Sequence, residues 1–108
     1  KEDSEKARRD IIFDVVKDLN DKNIMILKAA VENKDGLVKD VYETYRTISA
    51  RYNEDPYSYM FFYTNLSYLQ SLGLIILIST KVKRTYTNRI QLTFNPSYLS
   101  QIWQLRFK

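Results

Sequence analysis

Residues 55–94 read DPYSYMFFYTNLSYLQSLGLIILISTKVKRTYTNRIQLTF. Asp55-Pro56 has the form of a helix start: an Asp side chain accepts from free N–H groups of a first turn, and Pro tolerates the first helical position, where its missing N–H would have no partner. A helix is predicted from there to about Leu72, where Gly73 ends it. Leu74–Thr80 (LIILIST) is apolar and β-branched and reads as a buried strand. Arg89–Phe94 alternates Ile90, Leu92 and Phe94 with Gln91 and Thr93, the pattern of a strand with one wet face. The nine residues from Lys81 to Arg89 would then form the tip of a hairpin, with Asn88 able to supply a turn conformation.

Working outward, Lys1–Asn20 reads as a helix with Ile11, Ile12, Val15, Val16 and Leu19 on one face, charged and without an apolar face before Asp10. A second helix spans about Asp21–Asn33 on the stripe Ile24, Leu27 and Val31, and Lys34-Asp35-Gly36 stops it. A third spans Val38–Tyr52, with Val38, Val41, Tyr42, Tyr45, Ile48, Ser49 and Tyr52 on one side, a stripe read as core packing. Asn95-Pro96 opens a last helix with Leu99, Ile102 and Trp103. Helix, helix, helix, helix, strand, strand, helix predicts a mainly α winged helix-turn-helix, with an extra N-terminal helix and a C-terminal helix. It divides into a connecting helix over residues 1–20 and a winged-helix domain over residues 21–108.

Charge separates the chain into two parts. All 13 acidic residues lie between Glu2 and Asp55, and the 53 residues from Pro56 onward hold none. Those 53 residues carry Lys81, Lys83, Arg84, Arg89, Arg106 and Lys108. A positive field with nothing to cancel it attracts polyanions. The chain has no Cys and no His, so thiolate ligands, disulfides and the commonest general base are all missing. The acids fall on charged helix faces without metal-ligand spacing, so neither a catalytic nor a metal site is expected. The longest apolar run, Leu74–Ile78, is too short to cross a bilayer, and no targeting segment is visible. A cytoplasmic, nucleoid-associated location is the default. The chain does not begin with Met, which points to a piece of a longer protein.

In a winged helix the helix before the hairpin enters the major groove, and the hairpin tip reaches phosphates or the minor groove. Placed at 100° intervals, Tyr59, Phe62, Leu66 and Leu69 face the core. Met60, Thr64, Ser67 and Ser71 face outward, with Phe61, Tyr63 and Tyr68 on the flanks. The candidate recognition surface is Ser58, Met60, Phe61, Tyr63, Thr64 and Ser67: hydroxyls for base edges, apolar groups for the thymine methyl, and no Arg for guanine. The candidate wing is Lys81, Lys83, Arg84, Thr85, Tyr86 and Arg89, its cations for phosphates and Tyr86 able to stack or wedge. Double-stranded DNA is the expected partner.

From Leu19 onward the sequence resembles the C-terminal winged-helix domain of archaeal replication initiators, relatives of origin-recognition and helicase-loading proteins. The resemblance is carried by ILKAAV, by VKDVYETYRTIS and by DPYSYMFFYTNLSYLQSLGLI, and EKARRDIIFDVVKDL is similar to the helix that joins such domains to an ATPase lid. It implies origin binding in replication initiation, with replication proteins as further partners. It also implies an upstream ATPase module, the one place for ATP, since no phosphate-binding Gly-rich loop occurs here and no cofactor is expected in this chain. Met60 and Phe61 stand where the family often carries Arg, and KVKRTYTNR stands for a wing that is often Gly-rich. Both departures favour backbone contacts and DNA shape over base reading. Two other readings stay open. One is a winged-helix transcription regulator whose N-terminal helix is a dimer arm. The other is a protein-interaction module using Met60, Phe61 and Trp103.

Overall fold

A computed structural model describes residues 11–107. Residues 11–17 form α1, followed by α2 (Asp21–Glu32), α3 (Val38–Arg51), α4 (Tyr59–Ser71), β1 (Ile75–Val82), β2 (Thr85–Leu92) and α5 (Pro96–Arg106). The strands form one antiparallel hairpin, and the predicted winged helix-turn-helix architecture is the one observed. The charged segment read as the start of the connecting helix lies outside the described residues.

The core gathers apolar residues from every element. Val16 and Leu19 meet Ile24 and Leu27 of α2, Val41, Tyr45 and Ile48 of α3, and Phe62, Leu66 and Leu69 of α4. Ile75, Ile90, Leu99 and Ile102 close it. The amphipathic stripe expected for α2 proves too narrow: Ile24, Met25, Ile26, Leu27, Ala29 and Ala30 are all buried, whereas Val31 is exposed. The reason is position, since α2 packs against α3, α5 and β2 together.

Two expectations about local structure are corrected. The helix predicted from Pro56 begins at Tyr59, capped by Ser58, whose Oγ accepts from the Phe61 N–H at 3.2 Å. Residues 54–58 stay non-helical because α3 satisfies their backbone from outside. The Tyr57 N–H donates to Tyr45 Oη at 2.9 Å, and Tyr42 Oη donates to the Tyr57 carbonyl at 2.8 Å. Helix α4 does end where expected: Gly73 takes φ 81°, and the Leu74 and Gly73 N–H groups return to the Leu69 and Gln70 carbonyls, a Schellman closure.

The hairpin is longer and its tip tighter than the sequence suggested. Ile75 pairs with Leu92 and the ladder continues to Val82 opposite Thr85, leaving only Lys83-Arg84 as the turn. Thr80, Val82, Thr85, Tyr86 and Thr87 are β-branched or aromatic, so the polar segment pairs rather than loops. Lys83 supplies the left-handed turn conformation at φ 52°, and Asn88 sits in the ladder opposite Ser79. Leu37 adds a one-residue bridge to Arg89, beside Gly36, whose carbonyl accepts from the Ile90 N–H at 2.7 Å. A Cβ on Gly36 would lie 2.5 Å from the Ile90 carbonyl oxygen, so only glycine fits this approach.

Candidate nucleic-acid interface

Helix α4 lays one side into the core and leaves the other to solvent. Phe62, Leu66 and Leu69 are buried, while Thr64, Ser67 and Ser71 are exposed, as the helical wheel required. Met60 is 82% exposed and Phe61 52%, with the Phe61 ring edge-on to Tyr57 at 4.7 Å. Tyr59 departs from expectation: assigned to the core, it is 44% exposed. As the first residue of α4 it has no preceding turn to cover it. Its ring leans on Tyr42 at 5.2 Å, and partial burial raises its phenol pKa above the ordinary value, helped by the neighbouring Tyr63. Ser58 is engaged as the helix cap, and Thr64 donates its hydroxyl to the Met60 carbonyl. Helix α4 carries no Lys or Arg. Its two amide side chains each hold one backbone group, Asn65 donating to the Phe61 carbonyl at 2.9 Å and Gln70 accepting from the Leu77 N–H at 2.7 Å.

Cross-strand register sorts the wing residues into two faces. Lys81 and Tyr86 are directly opposite one another, and so are Ser79 and Asn88 and, further down, Leu77 and Ile90. These pairs share the face turned toward α4, where Asn88 donates to the Tyr63 hydroxyl. Lys81 Nζ lies 5.6 Å from the Tyr86 ring centroid. Arg89 and Thr85 belong to the opposite face, with Ile78 and Val82 as their partners. The six wing candidates are therefore not one cluster: Lys81 and Tyr86 face α4, Lys83 and Arg84 form the tip, and Thr85 and Arg89 look away. Sequence reasoning missed Ser79 and Asn88, although counting back by twos from buried Ile90 reaches Asn88 and then Tyr86.

The positive field is also smaller than the sequence implied. Arg106 is neutralised by Asp21, donating from Nη1 to Oδ1 at 2.9 Å, and its Nη2 donates to the Lys17 carbonyl at 2.6 Å. It ties α5 to α1 and α2. Lys81, Lys83, Arg84 and Arg89 form no ion pair among the described residues and are exposed. Among those residues no group of three or more Asp or Glu could hold a metal ion, and no helix is long and apolar enough to cross a membrane.

The fold is similar to that of the Orc1 protein of Aeropyrum pernix, solved in complex with DNA. The TM-score is 0.82 at 17% identity, covering 98% of this chain and 30% of that one. The chain thus spans less than a third of the length of that protein. No curated protein matches the sequence. Residues 14–101 match the family described as "CDC6, C terminal winged helix domain", a span that runs from α1 into α5. This match agrees with the order of elements, the short hairpin and the exposed face of α4, and the chain belongs to the family of CDC6 C-terminal winged-helix domains.

Proposed function

We propose that this domain binds duplex DNA as the DNA-contacting part of a replication initiator acting at origins. Helix α4 enters the major groove, and the tip of the β1–β2 hairpin engages phosphates or the minor groove. The observation that carries this reading is the wing: Lys83 and Arg84 form a two-residue turn with Lys81 two residues before it, all exposed and without an ion pair among the described residues, in a stretch without a single acid. Family membership supports it, and so does the fold shared with a protein solved on DNA. Met60, Tyr63, Thr64 and Ser67 approach base edges, and Ser58 orders the N-terminus of α4. With no cation on α4, backbone contacts dominate and selectivity comes from DNA shape. In the parent protein an upstream ATPase module supplies the nucleotide chemistry and further replication proteins join.

Anisotropy titration of a labelled A·T-rich duplex at several salt concentrations tests this. About four neutralised phosphates give a log–log salt slope of roughly −3 to −4. Lys81→Ala/Lys83→Ala/Arg84→Ala should weaken binding and flatten the slope by about 2 to 3. A wild-type chain without duplex affinity at low salt would defeat the proposal. The exposed Met60-Phe61 pair favours a second reading in that event, a protein contact insensitive to salt.

A further inference from the structure

Between α4 and the hairpin runs an open groove of about 410 Å³, lined by Tyr59, Tyr63, Ser79, Tyr86, Thr87 and Asn88. Its size falls within the range of small-ligand sites, about 300–1,000 Å³. No lining side chain is charged. The groove offers two exposed aromatic rings, Tyr59 at its α4 wall and Tyr86, 71% exposed, at its hairpin wall. The linked Tyr63–Asn88 pair contributes hydroxyl and amide groups between them. Asn88 keeps its carbonyl oxygen and a second N–H for other partners. Cations stand only outside the lining: Lys81 beside Tyr86, with Lys83 and Arg84 at the adjoining turn.

We infer that this groove takes an unpaired DNA base, so that the domain prefers duplex with a locally opened base pair to fully paired duplex. A paired base shows a protein only its edges, because its faces are stacked on its neighbours. Strong edge reading is bidentate, by Arg, Lys, Asn or Gln, and α4 is poor in it: it lacks cations, and Asn65 and Gln70 each already hold a backbone group. An unpaired base shows its flat faces, which tyrosine rings stack upon without regard to sequence, while cations hold the flanking phosphates. Uncharged aromatic walls, an amide and hydroxyl lining and nearby cations suit that ligand. This inference rests on the DNA-binding reading.

The test compares a fully paired duplex with a duplex of equal length carrying a two-nucleotide mismatched bubble. Each is titrated with the wild-type chain, Tyr86→Ala, Tyr86→Phe and Tyr59→Ala at one salt concentration. Wild type should bind the bubble at least about fivefold more tightly, the effect of one stacked base. Tyr86→Ala should bring that ratio to near one, whatever it does to paired-duplex affinity, and Tyr86→Phe should preserve it, since stacking needs the ring and not the hydroxyl. A 2-aminopurine at the unpaired position should be quenched by wild type and not by Tyr86→Ala. Circular dichroism confirms that each variant is folded. A ratio near one for wild type overturns the inference and leaves duplex binding intact, as does a ratio that survives both Tyr86→Ala and Tyr59→Ala. A bubble affinity that depends on Tyr86 without any paired-duplex affinity supports the groove and overturns the duplex reading.

Discussion

Helices α3 and α4 carry similar aromatic stripes and use them in opposite ways. In α3, Tyr45 is fully buried and Tyr42 half-buried, and both hydroxyls hold the backbone of Tyr57. In α4, Tyr59, Phe61 and Tyr68 stand largely in solvent beside Met60. An aromatic ring in α3 contributes by area and by holding the half-buried backbone of Tyr57 through its hydroxyl. In α4 the same ring contributes little to the fold and is free to contact a ligand. Phe62 is the joint between the two: it comes within 4.9 Å of the Tyr42 ring and stacks on Tyr45 at 5.6 Å.

The sharpest way to break this comparison lies in two adjacent residues. Phe62→Ala removes a ring from the centre of the core and should cost about 3–5 kcal/mol, a large share of the stability of a domain this size. Phe61→Ala should cost less than about 1 kcal/mol and act on binding instead. Urea unfolding of both variants measures the contrast. Equal losses would mean that the outer side of α4 is structural and not a contact surface.

A smaller effect separates area from hydrogen bonding within α3. Tyr45→Phe keeps the ring and removes the acceptor for the Tyr57 N–H, an expected loss of about 1–3 kcal/mol. The same hydroxyl gives a pH signature. Burial holds the Tyr45 phenol pKa above its ordinary value of 10.0, so the folded state keeps this proton more tightly than the unfolded chain. Its contribution is complete below pH 10, where both states are protonated, and is lost as pH rises toward the folded-state pKa. Alkaline unfolding followed by circular dichroism should be shallower in Tyr45→Phe than in wild type. An unchanged alkaline limb would place the phenol in water.

What was legible in the sequence depended on how local its cause is. The stop at Gly73 and the start at Asn95-Pro96 are set by a few neighbouring residues, and both were read correctly; Asn95 accepts from the Ser97 N–H as its type predicts. Element order sufficed for the winged helix, because few arrangements bury five helical stripes and one hairpin. The false start at Asp55-Pro56 had a distant cause, two tyrosine hydroxyls 12 and 15 residues back in the chain. Arg106 was counted as free because its partner, Asp21, lies 85 residues away. In the candidate site, the outward residues of α4 followed from helical spacing. The wing did not divide correctly until the register was known, since a polar hairpin lacks the apolar alternation that fixes inward and outward faces.

Tyr63 occupies the boundary between the two kinds of aromatic residue and gives the smallest and most informative effect. It is half-buried, yet its hydroxyl is the one on α4 that accepts a hydrogen bond from another element among the described residues, from Asn88 of β2. Tyr63→Phe removes that link while leaving the ring in place. An exchange of one partly exposed hydrogen bond for water contacts should cost about 0.5–1.5 kcal/mol, less than Tyr45→Phe because the Tyr63 side chain is half-buried where that of Tyr45 is fully buried. If Tyr63 belongs with the α3 tyrosines, the loss will match that of Tyr45→Phe and DNA affinity will be unchanged. If it belongs to the contact surface, stability will fall only slightly. DNA affinity will then fall by several-fold, because the link fixes the angle between α4 and the wing that both must keep to reach one duplex. The second outcome is expected, and the pair of measurements places the limit of the scaffold at a single hydroxyl.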